Sequence, residues 1–224
     1  MKLATALSIL IESSARTRSR RPQHPSANPI PQPGIGGGVQ QVENGVHFID
    51  ITPKELNNYP FVYIAAAGRL VLSDEEAAAL RNHLLNGGFL MADDFWGNMG
   101  WDQFYEQIKK VFPDREPKEL PLSHPIFHTV FDFKQIPQTP SVFTYIRYGG
   151  RSYDPADYDD RITHEPHFFG IYDDKGRMMA LICLNNHFGD GWEHETEDEG
   201  YFDKYSEPMA YSMFVNILVY AMSH

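Results

Sequence analysis

The stretch from Asn57 to Asp94, "NNYPFVYIAAAGRLVLSDEEAAALRNHLLNGGFLMADD", leaves a folding chain few choices. "FVYIAAA" is an apolar run of strand length without polar alternation, the pattern of a strand covered on both faces in a parallel sheet. Ser73 and Glu76 then have the spacing of a capping box, and Asp74 and Glu75 suit the positive end of a helix dipole. Ala77, Leu80 and Leu84 recur at helical spacing, and Asn86, Gly87 and Gly88 end the helix. "FLMAD" is a second buried strand. Strand, helix and strand joined by short links predict a right-handed βαβ crossover. Trp101, Phe104, Tyr105, Ile108 and Phe112 continue the alternation with another amphipathic helix, closed by Pro113. The fold class predicted is α/β.

The remaining elements are arranged around this unit. Leu3, Leu7, Leu10 and Ile11 predict an amphipathic helix over residues 2–15, packed on the domain as a first element. Its apolar run is broken by Glu12 and precedes its basic cluster, so it does not read as a leader. Residues 16–45 are rich in Pro, Gly and Arg and read as a flexible surface segment, with Arg16, Arg18, Arg20 and Arg21 as a solvated basic run. The main domain spans 46–224. "GVHFIDI" is strand-like, and Thr52-Pro53-Lys54-Glu55 opens a short helix. Residues 113–165 are irregular and proline-rich, while "HFFGIYDDKGRMMALICLN" predicts a hairpin turning at Asp-Lys-Gly. After an acidic loop over 190–204, Met209, Met213, Ile217 and Tyr220 mark a closing helix begun near Ser206, with Pro208 in its first turn.

The formal net charge of −11 argues against nucleic acid or anionic lipid as a partner, since both are held by clustered Lys and Arg. No run approaches the roughly 20 apolar residues of a membrane span. A soluble chain is expected, in cytoplasm or periplasm. The single cysteine, Cys183, lies in the apolar run "ALICL" and reads as a small buried hydrophobe.

The pieces "YPFVYI", "LRNHLLNGGFLMADDFWG", "LSHPIF", "NNHFGDGWE" and "MAYSMFVNILVYAMSH" together resemble the bacterial family known as domain of unknown function 4159. More broadly, the strand and the Ser-Asp-Glu-Glu helix closing on Gly-Gly are similar to glutamine-amidotransferase-like domains of flavodoxin type. That resemblance implies a three-layer, mostly parallel flavodoxin-like sheet flanked by helices, with the hairpin in the C-terminal half. Members of the family have an extra strand before the helix that "LATALSILIE" resembles, whereas this chain starts at that helix. The resemblance brings no established reaction. Class I amidotransferases need a cysteine on a strand-to-helix elbow and a positioned His and Glu. Cys183 has no glycine elbow, and His194-Glu195-Thr196 lacks the His-x-Glu spacing.

The candidate site therefore rests on position. Asp93 and Asp94 end a strand of an open α/β sheet, where ligands bind in such folds, and Trp96 and Asn98 follow at once. Asp93 and Asp94 also suit a structural reading, accepting hydrogen bonds from the next turn, with Trp96 covering the core. His124 in "LSHPIF", and Asn186, His187, Asp190, Trp192 and Glu193 in "NNHFGDGWE", are candidates for the same crevice. "GDGWEHETEDEG" is acidic but lacks the alternation of an EF-hand loop, and Pro166 spoils a helical pairing of His164 with His167. "GIGGGVQ" is not placed between strand and helix as a phosphate loop would be. No metal or cofactor is expected. The function expected is binding of a small ligand or a protein partner at the carboxyl edge of the sheet; the alternative is a hydrolase of carbohydrate- or peptide-like substrates using Asp93, Asp94 and His187 as acid-base groups or metal ligands.

Overall fold

A computed structural model describes residues 9–10, 42–43, 46–149 and 164–224, with side chains from Ile49 onward. They form a mixed sheet in the order β2-β3-β1-β4-β5-β8-β7-β6, whose strands are β1 (Ile9–Leu10), β2 (Val42–Glu43), β3 (Val46–Phe48), β4 (Phe61–Ile64), β5 (Phe89–Phe95), β6 (Lys118–Glu119), β7 (His167–Tyr172) and β8 (Met178–Leu184). Five of these have three or more residues. β3, β1, β4, β5 and β8 run parallel to one another, whereas β2 pairs antiparallel with β3 at one margin and β7 with β8, then β6 with β7, at the other.

Local chemistry accounts for the helices between them. Thr52 accepts the Glu55 amide at 3.3 Å and Pro53 occupies the first turn of α1 (Pro53–Leu56). α2 (Asp74–Leu85) opens on the expected capping box: the Glu76 amide donates to Ser73 Oγ at 3.2 Å, and the Ser73 amide donates to Glu76 Oε2 at 2.8 Å. At its other end the Arg177 guanidinium donates to the carbonyls of Leu84 and Gly88, supplying donors to acceptors that a helix C-terminus leaves free. α3 (Gly97–Val111) buries Phe104, Gln107, Ile108 and Val111. The region after Pro113, expected to be irregular, holds β6, a 3₁₀ turn (Pro125–Phe127) and α4 (Val142–Arg147) between extended segments. β7 and β8 form the predicted hairpin.

Period-two alternation divides the core between the two faces of the sheet. Val62, Ile64, Leu90, Ala92, Ala180 and Ile182 pack with the buried residues of α1, α2 and α3. Tyr63, Met91, Leu181 and Cys183 pack instead with Ile126, Phe127, Phe188 and, from the last helix, Met213, Ile217 and Tyr220. All seven residues of β8 are buried, as a strand covered on both faces requires.

Three expectations are corrected. Ile9 and Leu10, assigned to a helix over 2–15, form β1 between β3 and β4; pairing on both sides outweighs the local leucine spacing. The rest of 1–15 lies outside the described residues. Val42 and Glu43, inside the segment 16–45 read as flexible, pair with β3, while residues 16–41 are outside the described ones. The closing helix does not begin near Ser206. After α5 (Phe188–Glu193), the chain turns helical at α6 (Glu199–Tyr201), where Asp198 Oδ1 accepts the Tyr201 amide at 2.8 Å. It continues as a π-helix (Phe202–Tyr211) and then α7 (Ser212–Ser223). Pro208 lies inside the π-helix rather than in a first turn. Proline has no amide to donate and clashes with the carbonyl four residues back, and the wider π register avoids that α-helical pairing.

Candidate functional site

Among the described residues, three non-glycine positions have positive φ: Ala66 at 50°, Asp94 at 57° and Asn185 at 59°. They sit at the carboxyl ends of β4, β5 and β8, three adjacent parallel strands. Left-handed backbone costs a side-chain-bearing residue roughly 1 kcal/mol or more, and such residues cluster at functional sites. The distortion at Asp94 has a clear origin. Ala92 pairs with Ile182 and Phe95 with Leu184, so Asp93 and Asp94 together face the single residue Cys183. This is a β-bulge, and it turns Asp94 away from the alternation of its strand. Hydrogen bonds lock it: the Asp94 amide donates to the Asn186 carbonyl at 3.1 Å and the Asn185 amide to the Phe95 carbonyl at 3.0 Å. The Asn185 side chain accepts the Gly97 amide at 3.0 Å and donates to the Glu165 carbonyl at 2.8 Å.

The two aspartates have different surroundings. Asp93 is wholly buried, with Oδ2 accepting from the Tyr63 hydroxyl at 3.1 Å and the Gly189 amide at 3.3 Å, while Oδ1 has no hydrogen-bond partner. Burial pushes its carboxyl up to about 7, and the nearby Asp94, Gly189 and Phe188 amides with the Tyr63 hydroxyl only partly oppose the shift. Burial, reinforced by Asp93 and Asp94, pushes the Tyr63 hydroxyl well up. Gly189 is required here, because a Cβ would lie 2.6 Å from Tyr63 Oη.

Asp94 is 27% exposed and opens the cluster to solvent. Its Oδ1 lies 3.2 Å from Nδ1 of His187, whose Nε2 lies 3.1 Å from Oδ1 of Asp190. His187 Nδ1 is close to Asp94 without the alignment of a good hydrogen bond. Asp190, 5% exposed, is fixed through Oδ2 by the Val142 amide at 2.9 Å. Burial raises the Asp94 carboxyl to about 6, with His187 and the Ala66 amide pulling the other way and Asp93 and Asp190 adding to the rise.

The other candidates divide by position. Asn186, fully buried, accepts the Thr139 amide at 3.0 Å, and the His187 amide donates to the Thr139 carbonyl at 2.8 Å, so this loop clamps His187 in place. Trp96 is the half-buried N-cap of α3, and Asn98 lies in the first turn. Trp192 packs edge-on to Tyr63 and tilted on Phe214, covering the second core, with exposed Glu193 next to it. His124 does not join them. Its Nδ1 accepts the Ile126 amide at 3.3 Å and its Nε2 lies 3.2 Å from the Tyr172 hydroxyl, at the hairpin end where Tyr172 pairs with Met178. That is the amino edge of β8, opposite Asp93. His167 meets Glu119 at 2.7 Å on the sheet margin. Cys183 is fully buried within β8, and burial together with Asp93 pushes its thiol well up, the opposite of an activated nucleophile. Sequence reasoning missed Tyr63, Ala66, Asn185 and Gly189. Tyr63 alone carried a signal, as the single polar group in an apolar strand.

Among the described residues, no group of three or more His, Cys, Asp or Glu is arranged to hold a metal ion, and no helix is long and apolar enough to cross a membrane. The model of the family described as Domain of unknown function (DUF4159) matches residues 39–222, a span that contains every residue of the cluster. No curated protein matches the chain.

Proposed function

The chain belongs to the DUF4159 family, and from that premise we propose that it binds a small polar ligand at the carboxyl edge of its sheet, over Asp94 and His187. One observation carries this reading. Three neighbouring strand ends adopt left-handed backbone at residues other than glycine, and between them they gather Asp93, Asp94, His187 and Asp190. A chain selected for stability alone has no use for such strain around desolvated carboxyl groups. A flavodoxin-like, three-layer arrangement of the amidotransferase-like class is part of the proposal. The order β3-β1-β4-β5-β8 supports it, being 2-1-3-4-5 by appearance in the chain, and ligands of such sheets lie outside the carboxyl ends of the strands. Amidotransferase chemistry is not part of it, given the position of Cys183 inside β8.

The test is a thermal-shift screen of polar metabolites against the native chain, Asp94→Asn and His187→Gln. Asparagine tolerates left-handed backbone and keeps the size of Asp94, so the variant tests charge. A compound that raises Tm of the native chain but not of Asp94→Asn supports the site. Hits that act equally on all three proteins place binding elsewhere and overturn it. A hydrolase acting on carbohydrate- or peptide-like substrates is the second reading, favoured by one feature: a histidine held between two carboxylates has the arrangement of an oriented general base. Turnover of such a substrate, abolished in His187→Gln with the fold intact, would establish it.

A further inference from the structure

We propose that the ligand of this edge site is a compact organic cation, a primary amine or guanidinium group seated on Asp94 with His187 and Asp190 behind it. The proposal rests on the ligand-binding reading above and names its chemistry. The titratable groups around Asp94 are Asp93 beside it on β5, Tyr63 from β4, and His187 and Asp190 from α5 and its cap, with Glu193 at the far end of α5 acting on Tyr63. That is one base among four carboxyl groups and a phenol. Among the described residues, the principal charges acting on Asp94 are His187, Asp93 and Asp190 and those acting on Glu193 are His187, Asp190 and His194, with no lysine or arginine among them. An anion would meet repulsion from every side except that of His187. A neutral polyol would leave the charge uncompensated.

The buried part of the cluster points the same way. Asp93 is wholly buried, its Oδ2 bonded to the Gly189 amide of the same loop and its Oδ1 without a hydrogen-bond partner. A carboxyl group left short of a donor next to the desolvated Asp94 is complemented by positive charge at the cluster. Access sets the size. His187 is 16% exposed and Asp190 5%, against 27% for Asp94, so a ligand reaches the cluster chiefly over Asp94, by a small charged head rather than a bulky group. A bound cation favours the ionised form of Asp94, so binding should strengthen as pH rises through about 6.

Thermal shift and calorimetry with ethylamine, putrescine and agmatine test this, compared with glycerol and glucose, with acetate and phosphate, and with Mg²⁺ and Mn²⁺. The amines should raise Tm of the native chain, more at pH 7 than at pH 5 and less in high salt. Asp94→Asn should weaken them at least about tenfold, and Glu193→Gln, an exposed change that leaves the fold alone, about two- to fivefold. Should Asp94→Asn not fold, the Glu193→Gln effect and the pH dependence decide. Sugars that shift the native chain but not Asp94→Asn would overturn the cationic ligand and keep the site. Stabilisation by the metals alone, or by the anions, would also overturn it. Amines that act equally on the native chain and Asp94→Asn, or no response to any probe, would end both readings.

Discussion

Asp93 holds a carboxyl group where water does not reach, and that has a measurable cost. In the unfolded chain it ionises near its ordinary 3.8; in the fold it keeps its proton to about 7. Between those values the native state binds the extra proton, so stability falls as pH rises from about 4 to about 7 and stays low above it. The 27%-exposed Asp94, raised to about 6, acts in the same direction with a smaller amplitude. Asp93→Asn removes the larger contribution. The native chain should lose on the order of a few kcal/mol between pH 5 and 8 in denaturant titrations, and the variant should show a flatter profile. Equal slopes would show that Asp93 does not carry a buried proton. At this scale the strand-end position of the aspartate pair was legible in the sequence, because an apolar run stops at them. Their unequal roles were not. The bulge that separates them is made by pairing with β8, some ninety residues away in the chain. His124 and His187 likewise look alike in sequence, and only the register of β7 on β8 puts them at opposite edges.

The seating of α5 on the ends of β4 and β5 rests on a contact that leaves no room for a methyl group. Gly189 presents its amide to Asp93 while Tyr63 Oη fills the space where its Cβ would be. Gly189→Ala must therefore displace either the helix or the tyrosine, at about 1–3 kcal/mol. Removing the hydroxyl with Tyr63→Phe makes room and also takes a donor from Asp93. The double variant should then be less destabilised than the sum of the two single ones, with a coupling of about 0.5 kcal/mol or more in denaturant titrations. Strict additivity would mean that the two residues do not compete for that space. Elements differed in how far they could be read from sequence. The starts of α1 and α2 are set by hydroxyls and carboxylates within one turn, so the sequence shows them directly. The π-helix is set by the packing of Tyr205, Ser206 and Ala210 and by Pro208, and no local signal distinguishes it from a helix start.

In the whole molecule, the alternating apolar runs and capped helices made the α/β class legible, and the hairpin of β7 and β8 followed from its turn residues. The strand order was not legible at the amino end. A two-residue strand carries almost no sequence pattern, and β1 exists only because β3 and β4 flank it. That placement has a consequence. The family match begins at residue 39, yet Ile9 and Leu10 lie between two strands within the matched span. A chain started at residue 39 would lose the parallel ladders to Phe48 and Tyr63, leaving β3 and β4 with unpaired edges inside the sheet. The lost hydrogen bonds alone amount to roughly 2 kcal/mol, and open edges invite pairing between molecules. The shortened chain should therefore melt several degrees below the full one and form soluble aggregates visible by light scattering, and substitution of Leu10 by proline in the full chain should reproduce part of the loss. If the shortened chain is as stable and as monodisperse as the full one, β1 is dispensable and the sheet must close directly between β3 and β4.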